Sequence, residues 1–144
     1  MSRRLELPTW AVVFVIHGAW IALTLGFHAL PLWAVVPLAG YVIALHGSLQ
    51  HEAVHGHPTP WPGVNAAIAG VPLGLWLPFP VYRSTHLMHH DCRDITDPAE
   101  DPESYYVDAA AWDAMGRLRR GLYLALGTLL GRLVLGPPVV VVRL

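Results

Sequence analysis

Thr9–Leu30 reads TWAVVFVIHGAWIALTLGFHAL: twenty-two residues with two histidines and no other ionisable side chain. As a helix this stretch rises about 33 Å, enough to cross a hydrocarbon core of about 30 Å. A secretory leader would have a shorter apolar core and a small-residue cleavage site, so the stretch is read as a retained span. Working outward from it, Glu52 is the single Asp, Glu, Lys or Arg between Leu7 and Tyr82. Charged residues make up 13% of the 144-residue chain, about half the roughly 25% of soluble domains. A water-facing surface cannot be built from that stretch, and its solvent is expected to be lipid.

Pro31 turns the chain into a second apolar run, about 32–50, with Pro37 and Gly40 inside it; both are tolerated in membrane helices. The two runs form a predicted helical hairpin. Val64–Val81 is apolar but interrupted by Gly70, Pro72, Gly74, Pro78 and Pro80, which favours a re-entrant or interfacial segment over a straight span. Gly121–Val142 is a third candidate span, preceded by Arg117, Arg119 and Arg120. The expectation is an all-α, multi-pass membrane bundle occupying 1–144, with spans at about 9–30, 32–50 and 121–142. Arginine placement sets its orientation. Arg3 and Arg4 precede the first span and Arg117–Arg120 the third, so both groups and the interval 51–120 are expected on the cytoplasmic side. Trp76 and Met88 read as packing or membrane-interface residues.

Charge and cysteine content narrow the function. The net charge is −1 with histidine neutral and every basic residue is Arg, so there is no basic field for nucleic acid. Cys92 is the only cysteine, which excludes an intramolecular disulfide.

Histidine is the outlier. There are nine, and seven lie between His46 and His90. In His51-Glu-Ala-Val-His55 two imidazoles stand at i and i+4; in His86-Leu-Met-His89-His90 three stand at i, i+3 and i+4. At helical spacing each set shares one face. Imidazole suits iron, zinc, copper and nickel, and five are more than one four-coordinate zinc needs. They suit part of a two-metal shell. Glu52, Asp91, Asp94, Asp97, Glu100 and Asp101 are the carboxylates available to orient ligand rings. His46 and His57 are additional candidates, read either as donors supporting the ligands or as capping and loop residues. His17 and His28 read as packed or interfacial helix residues.

These residues resemble the membrane fatty acid desaturase family, which carries histidine boxes of the types HxxxH, HxxHH and HxxHH on the cytoplasmic side of a four-helix membrane bundle. HEAVH (His51–His55) looks like the first box and HLMHH (His86–His90) like the second. The similarity runs through roughly Leu45–Tyr106, including PLGLWLPFPVYRSTHLMHH and TDPAEDPESYY. It implies a di-iron centre with His51, His55, His86, His89 and His90 among its ligands and O2 as oxidant. It also implies electrons from a ferredoxin or cytochrome b5-type donor, and removal of two hydrogens from a lipid acyl chain. The departure is that no histidine occurs in 91–144, so a third box is missing; a fragment, completion by another chain, or an inactive protein would each account for it. Within the same superfamily a carotenoid ketolase or hydroxylase would share both boxes. From another class, an intramembrane zinc protease would use Glu52 as base between His51 and His55, but would need an acidic third ligand in a span and would leave HLMHH unexplained. A non-enzymatic membrane remnant is the remaining reading.

Overall fold

The computed structural model describes residues 6–74 and 77–143, and all the regular structure among them is helical. Arg3, Arg4 and Trp76 lie outside the described residues. The chain divides into two compact units, the first ending at Arg83 and the second beginning at Ser84.

In the first unit, α1 (Leu7–Leu25) and α2 (Leu32–Val54) are long and apolar enough to cross a membrane. α1 begins with Pro8 in its first turn, where a missing N–H costs nothing, and the Thr9 hydroxyl donates to the Glu6 carboxylate at 3.1 Å. Its 19 residues give about 28 Å of helix. It stops at Gly26, whose N–H donates to the Ala22 carbonyl at 2.8 Å. A Cβ there would sit 2.9 Å from that same oxygen. The rest of the expected first span is a short 3-10 turn, Phe27–Ala29. α1 and α2 meet along Val13, Ile16, Val42 and Leu49, with Leu73 packed against them. Phe14, Leu25, Trp33 and Val36 face outward, as they would toward acyl chains.

α2 runs four residues beyond the apolar stretch, through the HEAV of the first histidine set. Polar composition hides this extension, but nothing in His51-Glu-Ala-Val breaks a helix. α3 (Pro62–Ala69) has eight residues, about 12 Å of helix, too short to span. Gly70 ends it, with its N–H on the Ala66 carbonyl at 2.8 Å. Gln50 at the end of α2 donates to the Ala69 carbonyl at 3.0 Å, tying α3 beneath the histidine turn. The connecting loop is held by buried Asn65, which accepts from the Thr59 N–H and hydroxyl and donates back to the Thr59 carbonyl.

α4 (Phe79–Asp91) carries the second histidine set and contains the boundary between the units. In the second unit, α5 (Ala109–Ala114) is capped by Asp108, whose carboxylate accepts the Ala111 N–H at 2.7 Å. The expected third span is two helices, α6 (Arg117–Leu126) and α7 (Leu129–Arg143), meeting at 115° rather than one straight rod. Thr128 makes the break: its hydroxyl donates to the Ala125 carbonyl at 2.7 Å and accepts the Gly131 N–H at 3.0 Å. Gly131 lies so close to the Ala125 carbonyl that no Cβ fits.

Candidate metal centre

The first histidine pair is a product of helix geometry. His51 lies in the last turn of α2, and His55 closes the helix, its N–H shared between the His51 and Glu52 carbonyls. Four residues of helix put their ring centroids 4.6 Å apart. Gly56 follows at φ +90°, the left-handed conformation glycine adopts without strain. It turns the chain sharply away, leaving the two rings at an open helix end. Glu52 lies 3.5 Å from His51 Nδ1, with both side chains about half exposed.

The second set is gripped by carboxylates. His86, His89 and His90 share one face of α4, with ring centroids 4.7 to 5.9 Å apart. His86 is buried, and its Nδ1–H donates to Glu103 Oε1 at 3.1 Å. His89 Nδ1–H donates to Asp101 Oδ2 at 2.9 Å. An ionised carboxylate only accepts, so each Nδ1 carries the proton and each Nε2 presents a lone pair. That is the tautomer a metal ligand needs.

The acidic loop is folded to deliver these groups. Asp97 caps a turn through the Ala99 N–H at 2.8 Å and accepts the Asp101 N–H on its carbonyl at 2.9 Å. Asp101 is buried and takes the Glu103 N–H on Oδ1 at 2.8 Å, which sets Glu103 beside His86. Burial opposes ionisation of Asp101, but the Glu103 N–H and the His89 ring outweigh it and hold the carboxyl below its ordinary value. Cys92 behaves oppositely: partial burial first, then the carboxylates of Asp101, Glu100 and Asp91, push its thiol up.

His86 Nε2 and His90 Nε2 are 3.2 Å apart. Nitrogens about 2.0–2.1 Å from a common ion are separated by distances of this order. An all-imidazole donor set with carboxylates behind two rings fits a first-row transition metal such as iron.

Two sequence candidates are placed elsewhere. His46 is buried inside the first unit, its ring 5.9 Å from that of His17. His57 donates from Nδ1 to both Glu6 oxygens, at 2.7 and 2.8 Å, fastening the start of α1 to the loop after the first histidine pair. His28 stacks edge-on against Phe27. Sequence reasoning did not single out Glu103 or Glu6 as histidine partners. The i, i+2 spacing of Asp101 and Glu103, matched to histidines three apart on one helix, is the signal that would have pointed to Glu103.

No curated protein and no solved structure gave a match. The family model described as "Fatty acid desaturase" matches residues 28–143, from just before α2 to the end of α7, with both histidine sets inside it. With that match covering well over half of the sequence, the chain belongs to the fatty acid desaturase family.

Proposed function

We propose that the chain is a membrane-bound, O2-dependent oxidoreductase that introduces a double bond into a lipid acyl chain. Its iron ligands are His51, His55, His86, His89 and His90. The observation that carries the reading is the pair of histidine sets inside the family match over residues 28–143, in a chain with two helices apolar enough to place them at a membrane. A di-iron centre held there supplies the oxidising power for an unactivated C–H bond. O2 takes up four electrons on the way to two waters. Two come with the substrate's two hydrogens and two from an external donor of the ferredoxin or cytochrome b5 type.

The chain's own residues have three tasks in this proposal. Glu103 and Asp101 hold the protons of His86 and His89 at Nδ1, so that Nε2 faces the metal. α2 holds His51 in its last turn and His55 at its C-cap, so both stand at the end of a helix apolar enough to span. The apolar exterior of α1 and α2 places the site where acyl chains are the solvent.

A carotenoid ketolase or hydroxylase would use the same ligands, and the product separates the two. The zinc protease reading is disfavoured by the second histidine set, His86, His89 and His90, for which it has no use. The test is metal content together with product analysis after supplying acyl lipid, O2 and a reductant, on the chain joined to a segment that carries a further HxxHH. Iron with a new acyl double bond supports the proposal. Zinc in place of iron, or oxygenated carotenoid as sole product, overturns it.

A further inference from the structure

The elbow between α6 and α7 takes no part in the histidine cluster, and its chemistry differs from that of the hairpin. From Arg117 to the last residue the sequence has five arginines and no acid. Two crevices open at the elbow, of about 340 Å³ and about 370 Å³. They adjoin: Tyr123, Leu126 and Val139 line both. The first adds Leu122, Pro138 and Val142 as apolar wall, with Arg119 at its edge. The second carries Arg132 and Tyr105.

Arg132 is held in place. Arg132 donates from Nε to the Leu126 carbonyl at 3.1 Å and from Nη2 to the Tyr105 hydroxyl at 3.0 Å. Its guanidinium carbon lies 4.9 Å from the centroid of the Tyr105 ring. Arg119 lies over Tyr123 at 6.0 Å. Both arginine side chains are exposed, and a guanidinium carries five N–H donors. Leu118, Leu124, Leu129 and Leu130 are exposed on the same two helices, so the elbow is amphipathic on the scale of a lipid molecule.

We infer that the α6–α7 elbow is a binding site for an anionic phospholipid, with its acyl chains in the two adjoining crevices and its phosphate on Arg119 and Arg132. Charge complementarity selects this occupant. An apolar cleft alone would accept any acyl chain, but a cleft edged by arginine with no nearby acid in its own helices favours a phosphate or a similar anion. Arginine forks match phosphate oxygens in pairs, and Tyr105 and Tyr123 are of the type that sits at headgroup level. A free anion would satisfy the arginines and leave the crevices unfilled; a neutral lipid would do the reverse.

The full chain is reconstituted in nanodiscs of phosphatidylcholine containing a minor share of phosphatidylglycerol with a photoreactive diazirine in its acyl chain. After irradiation, adducts should map to 122–126 and 138–142. The same diazirine chain on phosphatidylcholine should give about a tenth of the yield or less, and the pair Arg119→Gln and Arg132→Gln should lower the phosphatidylglycerol yield about tenfold. Arg93→Gln, outside the elbow, should change nothing, and millimolar inorganic phosphate should not displace the lipid. If the double arginine variant fails to insert, Val139→Trp narrows both crevices with the arginines intact and should also remove the adducts. Equal yields from the two lipids, adducts that survive Val139→Trp, an equal loss in Arg93→Gln, displacement by phosphate alone, or no adduct in the elbow would each overturn the inference.

Discussion

At the residue scale the second histidine set differs from the first in what stands behind it. His86 and His89 each donate through Nδ1 to a carboxylate, Glu103 or Asp101. A carboxylate in that position fixes the ring orientation and raises the basicity of Nε2, and losing such a partner costs roughly 10- to 100-fold in metal affinity. Asp101→Asn is therefore expected to weaken iron binding by about that factor, while leaving helical content and membrane insertion unchanged. Iron titration alongside circular dichroism reads both, and unaltered iron affinity in the folded variant would contradict the role. His86→Ala removes a proposed ligand outright, and the expected loss is larger than for Asp101→Asn. A ranking in which Asp101→Asn is the more damaging would show that Asp101 acts by holding the loop rather than the ring. The matched spacings of the two carboxylates and the two histidines were the available signal for this pairing. Local bonds on Asp97 and Asp101 shape the 94–104 loop that carries Glu103, and turns of this kind are not marked by hydropathy.

At the scale of elements, the hairpin was legible because hydrophobicity alone determines it. Thr9–Leu30 and the run after Pro31 are too apolar for water, and α1 and α2 occupy them. Helix ends were less legible. α2 continues into His51–Val54 past a polar boundary, because backbone hydrogen bonding does not stop where hydropathy does. In 121–142 the apolar run conceals a bend of 115°, made by one hydroxyl and one glycine, Thr128 and Gly131. Averaged hydropathy cannot register either. The end of α2 supplies a stability test. Gly56 has φ +90°, and a Cβ placed on it would meet nothing within 4 Å, so only backbone strain opposes a substitution. Gly56→Ala should destabilise the first unit by about 1–2 kcal/mol, seen as a lower unfolding midpoint in detergent. Gly40→Ala, inside α2 where a Cβ also meets nothing, should show no such loss. Equal effects would mean that the turn after His55 does not need the left-handed conformation.

At the scale of the whole molecule, the histidines impose a constraint on topology. Ligands of one centre must reach the same side of the bilayer, so the loop after α2 and the acidic loop after α4 are expected to share it, in keeping with the arginines at 117–120. Single cysteines introduced at the exposed positions Pro60 and Pro98, in a Cys92→Ser background, should label from the same side with a membrane-impermeant reagent. Labelling from opposite sides would separate the two histidine sets and remove the shared centre. Iron stoichiometry follows from the same ligands. His51, His55, His86, His89 and His90 make five imidazoles, whereas two irons need ligands enough for two coordination shells. Binding energy is divided among ligands, so a second ion on the remainder would be held weakly. Purified in this form, the chain is expected to retain fewer than two irons per molecule after dialysis against a chelator, and to show no desaturation. Joining a segment that carries a further HxxHH should raise both iron and product. Insertion should be unaffected, since it rests on the hydrophobicity of α1 and α2, so membrane-fraction yield serves as the internal control. Two tightly held irons and full activity without the added segment would show that other groups complete the shell, with His46 and His57 the first to substitute.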